Sequence, residues 1–138
     1  VVIAFNSIVL LILGYWLVQA GRYQFPFILI FIILSAMTVA ANVIDLKDIK
    51  GDQAGKINTL PILLGEKQAK HMIGLAYIIL FSGFICVVSN WYWLVVFTGA
   101  GLIQFYLVNK KNYREWQVIA FSNACLFSLI IILLLEKS

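Results

Sequence analysis

Residues 25–44 read Phe25-Pro-Phe-Ile-Leu-Ile-Phe-Ile-Ile-Leu-Ser-Ala-Met-Thr-Val-Ala-Ala-Asn-Val-Ile44, without one charged side chain. A helix needs roughly 20 mostly apolar residues to cross the hydrocarbon core of a bilayer, and this run is long enough. Its second half, Ser35 to Ala41, is dominated by small side chains, with Ala36 and Ala40 four apart. Small faces let helix backbones approach closely in lipid, so the run reads as a transmembrane helix with a packing face.

Four further apolar runs stand at about Val1 to Gln19, Met72 to Val88, Trp91 to Val108 and Trp116 to Leu135. The chain of 138 residues is 63% hydrophobic and 12% charged, with a mean hydropathy of +0.99. That balance excludes a soluble enzyme, a disulfide scaffold and a disordered tail. Most links between runs are short, so neighbouring helices are expected to run antiparallel. Thr98-Gly-Ala-Gly101 offers a second small-residue packing face. Cys86 and Cys125 form no CxxC, and His71 is the only histidine, so zinc, iron–sulfur and thiol redox chemistry lack a ligand set. The sequence begins at Val1 inside an apolar run, which reads as a fragment or one half of something larger. The expectation is an all-α, polytopic membrane protein: one partial transmembrane domain over 1–138, with a polar, aspartate-rich segment at 45–70.

That segment holds Asp45, Asp48, Asp52 and Glu66 with Lys47, Lys50, Lys56, Lys67 and Lys70. With Lys110, Lys111 and Arg114 of the last link, eight basic residues fall on one face, against Arg22 and Lys137 on the other. Short cytoplasmic loops retain Lys and Arg, so the aspartate-rich segment is expected in the cytoplasm of a multi-pass inner-membrane protein. The net charge of +4 belongs to these loops. No basic patch interleaved with aromatics stands outside the bilayer, so no nucleic-acid partner is expected. Trp91, Tyr92 and Trp93, with Tyr15, Trp16 and Tyr23, read as headgroup-level anchors on the opposite face.

If the helix of 25–44 continues past the membrane surface, each residue advances roughly 100° around its axis. With Asp45 at zero, Asn42 falls near about +60°, Asp48 near about −60° and Asp52 near about −20°. Lys47 and Lys50 point away. Converging carboxylates raise one another's pKa unless a cation intervenes, and Mg²⁺ is typically held by one or two carboxylates plus substrate phosphates. An EF-hand is excluded, because Lys47 and Ile49 occupy its ligand positions. The Asp-Gly-x-x-Ala-Arg run of membrane CDP-alcohol phosphotransferases is also missing. A solvated, mixed-charge helix end is the competing reading.

Asp45-Leu-Lys-Asp48-Ile-Lys-Gly-Asp52, followed by Gly55, Thr59-Leu-Pro61 and Leu64-Gly65, resembles the second aspartate-rich motif of the UbiA-type intramembrane prenyltransferases. The resemblance implies that the five spans correspond to helices five to nine of a nine-helix bundle. It also implies a missing N-terminal half carrying the first motif, Asn-Asp-x-x-Asp-x-x-x-Asp. Two departures are Ile44 and Gln53, where relatives often carry a basic residue. The implied activity is Mg²⁺-dependent transfer of an isoprenoid chain from a prenyl diphosphate to an aromatic or lipid acceptor. On that reading Asp48 and Asp52 are the leading metal ligands, with Asp45 a third ligand or a base near the acceptor. Asn42 is an orienting candidate. Lys56, near about +20° on the extrapolated wheel, is a candidate cation for the diphosphate, though Gly51 and Gly55 weaken the helical extrapolation. The fragment alone is expected to be inactive. A cation-coupled transporter and a non-catalytic assembly subunit are the alternatives; transporters usually carry acids within their spans, and here none interrupts an apolar run.

Overall fold

The computed structural model describes residues 27–86 and 90–135, together with residues 9, 12 and 88. Every regular element among them is helical. The chain divides into two compact units, Val1–Thr38 and Val39–Ser138. The expected first run lies outside the described residues apart from Val9 and Ile12, both helical. Tyr15, Trp16 and Tyr23 also lie outside them.

Helix α1 (Phe27–Asp45) matches the uncharged apolar run of residues 25–44. In its first-unit part, the Thr38 hydroxyl donates to the Leu34 carbonyl at 2.8 Å, which satisfies a polar side chain without leaving the helix.

In the second unit, the end of α1 leads into two short helices, α2 (Ile49–Ala54) and α3 (Leu60–Leu64). Then come α4 (Glu66–Ser82), a 3₁₀ turn at Gly83–Cys86, α5 (Tyr92–Asn109) and α6 (Glu115–Leu135). Among the described residues, two segments are long and apolar enough to cross a membrane, Glu66–Cys86 and Tyr92–Asn109. Helix α4 starts at Glu66, ahead of the expected Met72, because Gly65 adopts φ +83° and turns the chain directly into it.

Helices α4 and α5 pack antiparallel, and glycines set their spacing. A Cβ on Gly101 would stand 2.8 Å from the Ile78 Cα, and one on Gly74 would stand 2.6 Å from the Phe105 ring. The small-residue face expected at Thr98–Gly101 is thus a packing face, with Gly101 as its point of contact. Farther along, the Ser82 and Thr98 hydroxyls pair at 3.0 Å. Tyr77, Phe81, Phe84 and Phe97 then form a ladder with ring centroids 5.2 to 5.7 Å apart. In lipid, association rests on such close packing and on interhelical hydrogen bonds.

One of those bonds joins α5 to α6. The fully buried Gln104 amide donates to the Val118 carbonyl at 2.8 Å and to the Ser122 hydroxyl at 2.7 Å. Asn109 closes the same end of the α4/α5 pair, donating to the Lys70 carbonyl at 3.2 Å. The antiparallel arrangement therefore gathers the start of α4, the end of α5 and the start of α6 at one end of the second unit.

Candidate functional site

The aspartate-rich segment lies at that same end. Its continuous-helix geometry is corrected by the structure: α1 stops at Asp45, and Leu46 and Lys47 form a turn. The reason is visible in the side chains. Leu46 is 6% exposed, so the apolar residue inside the polar run turns inward, where burial is favourable. Lys47 is drawn outward into an ion pair with Glu115 at 3.3 Å. Asp48 then opens the separate helix α2, with its own carbonyl accepting from the Asp52 amide at 2.9 Å.

Asn42 and Asp45 consequently share the end of α1, one turn apart, while Asp48 and Asp52 share α2 at a spacing of four. Residues at those spacings lie on a common helix face. The two pairs meet across a turn instead of lining one straight helix. Asp45 and Asp52 are half-buried and Asp48 is exposed. Burial raises the Asp45 carboxyl above its ordinary value, and the Asp52 and Asp48 charges push the same way. Asp45 also sits at the negative end of the α1 dipole with no basic residue in the last turn, a position that disfavours an uncompensated carboxylate. Among the described residues, none of the three aspartates forms a salt bridge.

Among the described residues, no three His, Cys, Asp or Glu side chains converge as a ready-made metal cage. A divalent cation nonetheless fits this donor set. The donors are all hard oxygens, the Asp52 and Asp48 charges raise the Asp45 carboxyl, and Mg²⁺ prefers one or two carboxylates with substrate phosphates over a closed protein cage. Asp48, which caps α2, and Asp52, four residues on within it, are the two carboxylates that could serve as such a pair.

Lys56 does not occupy the wheel position that spacing assigns it. It is exposed, in a turn beyond α2, with φ 53°. The helical extrapolation fails because α2 ends at Ala54 and Gly55 caps it. Lys47, expected to be surface charge that fixes topology, is exposed and also bridges to the start of α6.

The remainder of the motif builds a corner. Thr59 is extended at the start of α3, Pro61 occupies its first turn and is fully buried, and Gly65 supplies the positive φ that releases α4. Proline at the start of a helix and glycine at a left-handed position suit those roles. The Thr59 hydroxyl oxygen is buried without a hydrogen-bond partner among the described residues.

Two supporting residues escape sequence reasoning. Tyr113 donates its hydroxyl to the Val43 carbonyl at 3.0 Å, and Glu115 holds Lys47. Neither belongs to a motif, and only the three-dimensional return of α6 brings them to the segment. Gln104 is missed as well, although an amide within an apolar run is a signal that could have found it.

These features define a helical membrane protein with an oxygen-rich acidic segment at one end of its spanning helices. The sequence profile of the UbiA prenyltransferase family matches residues 1–134, and the chain belongs to that family. No curated protein and no solved structure matches it. Family membership gives the chain a prenyltransferase-type function in general terms.

Proposed function

We propose that the aspartate-rich segment is the diphosphate-binding half of an intramembrane prenyltransferase site, facing the cytoplasm of a multi-pass protein. The observation that carries the reading is the disposition of Asp45, Asp48 and Asp52. Three carboxylates flank one turn at the end of an apolar helix, and Asp45 is held above its ordinary pKa by burial and by its two neighbours.

Bound Mg²⁺ would spread the charge of the departing diphosphate and fix its position. Asp48 and Asp52 would hold it, with Asp45 as a third ligand or as a base toward the acceptor. Asn42, one turn before Asp45, lies on the face that meets the substrate and orients it. The exposed Lys56 lies on the same segment, free to swing toward a phosphate oxygen as a mobile point charge. The packed helices exclude water from the allylic cation that forms when the carbon–oxygen bond breaks, and their apolar surface accommodates the prenyl tail. A first aspartate-rich motif, absent from this sequence, would supply the opposing carboxylates. The acceptor is an aromatic ring carbon or a lipid.

Carboxylates confined to helix ends favour this reading over a cation-coupled transporter, whose acids usually lie near the midplane. The test is binding of a non-hydrolysable prenyl diphosphate analogue to the intact protein with and without Mg²⁺. Saturable, Mg²⁺-dependent binding is expected; equal binding in a chelator would contradict the assignment.

A further inference from the structure

The same end of the second unit carries a feature that prenyl transfer does not use. An open groove of about 420 Å³ lies between the end of α5 and the start of α6, lined by Tyr106, Lys110, Lys111, Asn112, Arg114 and Gln117. Three of these side chains are cationic, two are amides, and none is acidic. The nearest acid in sequence, Glu115, is engaged by Lys47, and Glu66 is engaged by Lys70, so neither neutralises the groove. Lys110 donates to the Gln117 side-chain oxygen, which fixes that lysine against the first turn of α6. Lys111, Asn112 and Arg114 remain exposed.

The groove also has a defined depth. Tyr106, in the last turn of the apolar helix α5, is 67% exposed, and Trp116, in the first turn of α6, is 64% exposed. Amphipathic rings at the ends of apolar helices settle at headgroup level. The aromatic flank therefore puts the cations where bilayer phosphates lie, and an anion held there has its apolar part beside outward-facing α5.

We propose that this groove is a binding site for the phosphate of an anionic phospholipid headgroup. Arg114 provides the planar fork suited to phosphate oxygens, Lys111 adds charge, and Asn112 adds an amide donor. The site is independent of the transfer chemistry, and its ligand shares phosphate chemistry with the proposed substrate, so the experiment must separate the two.

The complete protein in neutral detergent is titrated with phosphatidylglycerol, and bound lipid is counted by native mass spectrometry. Phosphatidylcholine, inorganic phosphate and pyrophosphate serve as comparison ligands. Arg114→Gln and Lys111→Gln should each weaken phosphatidylglycerol binding about fivefold, the usual worth of one basic residue near an anionic membrane surface. Lys67→Gln, which removes an exposed lysine outside the groove, should leave it unchanged. Because loss of loop charge can disturb insertion, the wild-type protein provides a second readout: phosphatidylglycerol affinity should fall as salt is raised. Equal binding by wild type and both groove variants, or salt-independent binding, would overturn the proposal. Displacement of the lipid by equimolar pyrophosphate would also overturn it, by assigning the groove to the diphosphate.

Discussion

The Tyr113 hydroxyl hydrogen-bonds the Val43 carbonyl across 3.0 Å, joining the link before α6 to the turn of α1 that delivers Asp45. That carbonyl needs a partner because the helix is ending. The Lys47 amide bonds to Ile44 at 2.9 Å and so bypasses Val43. Lys47 to Glu115, at 3.3 Å, ties the following turn to the same part of α6. The entry to the aspartate-rich segment is therefore held at two consecutive points by residues outside its motif.

Tyr113→Phe should cost about 1 kcal/mol, the typical net value of one hydrogen bond, read as a lowered thermal midpoint in detergent. Burial and the Glu115 charge hold the Tyr113 phenol above its ordinary value. The neutral phenol is thus favoured in the folded state. Its contribution is fully present below the unfolded phenol pKa of about 10 and is lost as pH rises from there through the higher folded value. Tyr113→Phe should remove that part of the alkaline loss of stability; an unchanged alkaline profile would contradict the assignment.

Two glycines on α5 give opposite outcomes. Gly101→Ala places a Cβ 2.8 Å from the backbone of Ile78 and should destabilise by about 1–3 kcal/mol, as overpacking does. Gly99 has nothing within 4 Å of an added Cβ, so Gly99→Ala should be neutral or slightly stabilising. Reversible unfolding in mixed micelles reads both, and equal effects would disprove the close approach of α4 and α5.

Gln104 is the polar clasp between α5 and α6. Gln104→Leu should cost about 0.6 to 1.7 kcal/mol, from the average to the largest value found for interhelical hydrogen bonds in membranes. Ser122→Ala combined with Gln104→Leu should be less than additive, since the two side chains share one bond. Full additivity would mean that the bond does not form.

Orientation is tested with single cysteines at Gln53 and Asn90 in a protein lacking Cys86 and Cys125. The positive-inside count predicts labelling from opposite sides, with Gln53 reached from the cytoplasm. Labelling of both from one side would contradict the proposed topology.

Hydropathy and short links made α1, α4, α5 and α6 legible, because lipid demands long uncharged runs and those runs are unmistakable at 25–44 and 91–108. The packing role of Gly101 was legible too, since small residues inside such runs have few other uses. The break after Asp45 was not. Periodicity carries Asn42, Asp45, Asp48 and Asp52 smoothly onto one face, whereas burial of Leu46 and the reach of Lys47 to Glu115 are long-range events that stop the helix. The wheel position of Lys56 failed with it. The proposed role of the aspartates rests on residue type, which, unlike an angle, does not depend on where the helix ends.

The most direct measurement is Mg²⁺-dependent prenyl transfer by the intact protein in lipid, comparing wild type with Asp48→Asn and Asp52→Asn. Both substitutions keep size and hydrogen-bonding capacity while removing the charge that would hold the metal. Each should lower the rate by at least ~10²-fold, the lower end for loss of one preorganised electrostatic group. Rates within a few-fold of wild type for both would contradict the assignment and return the segment to a solvated, mixed-charge surface.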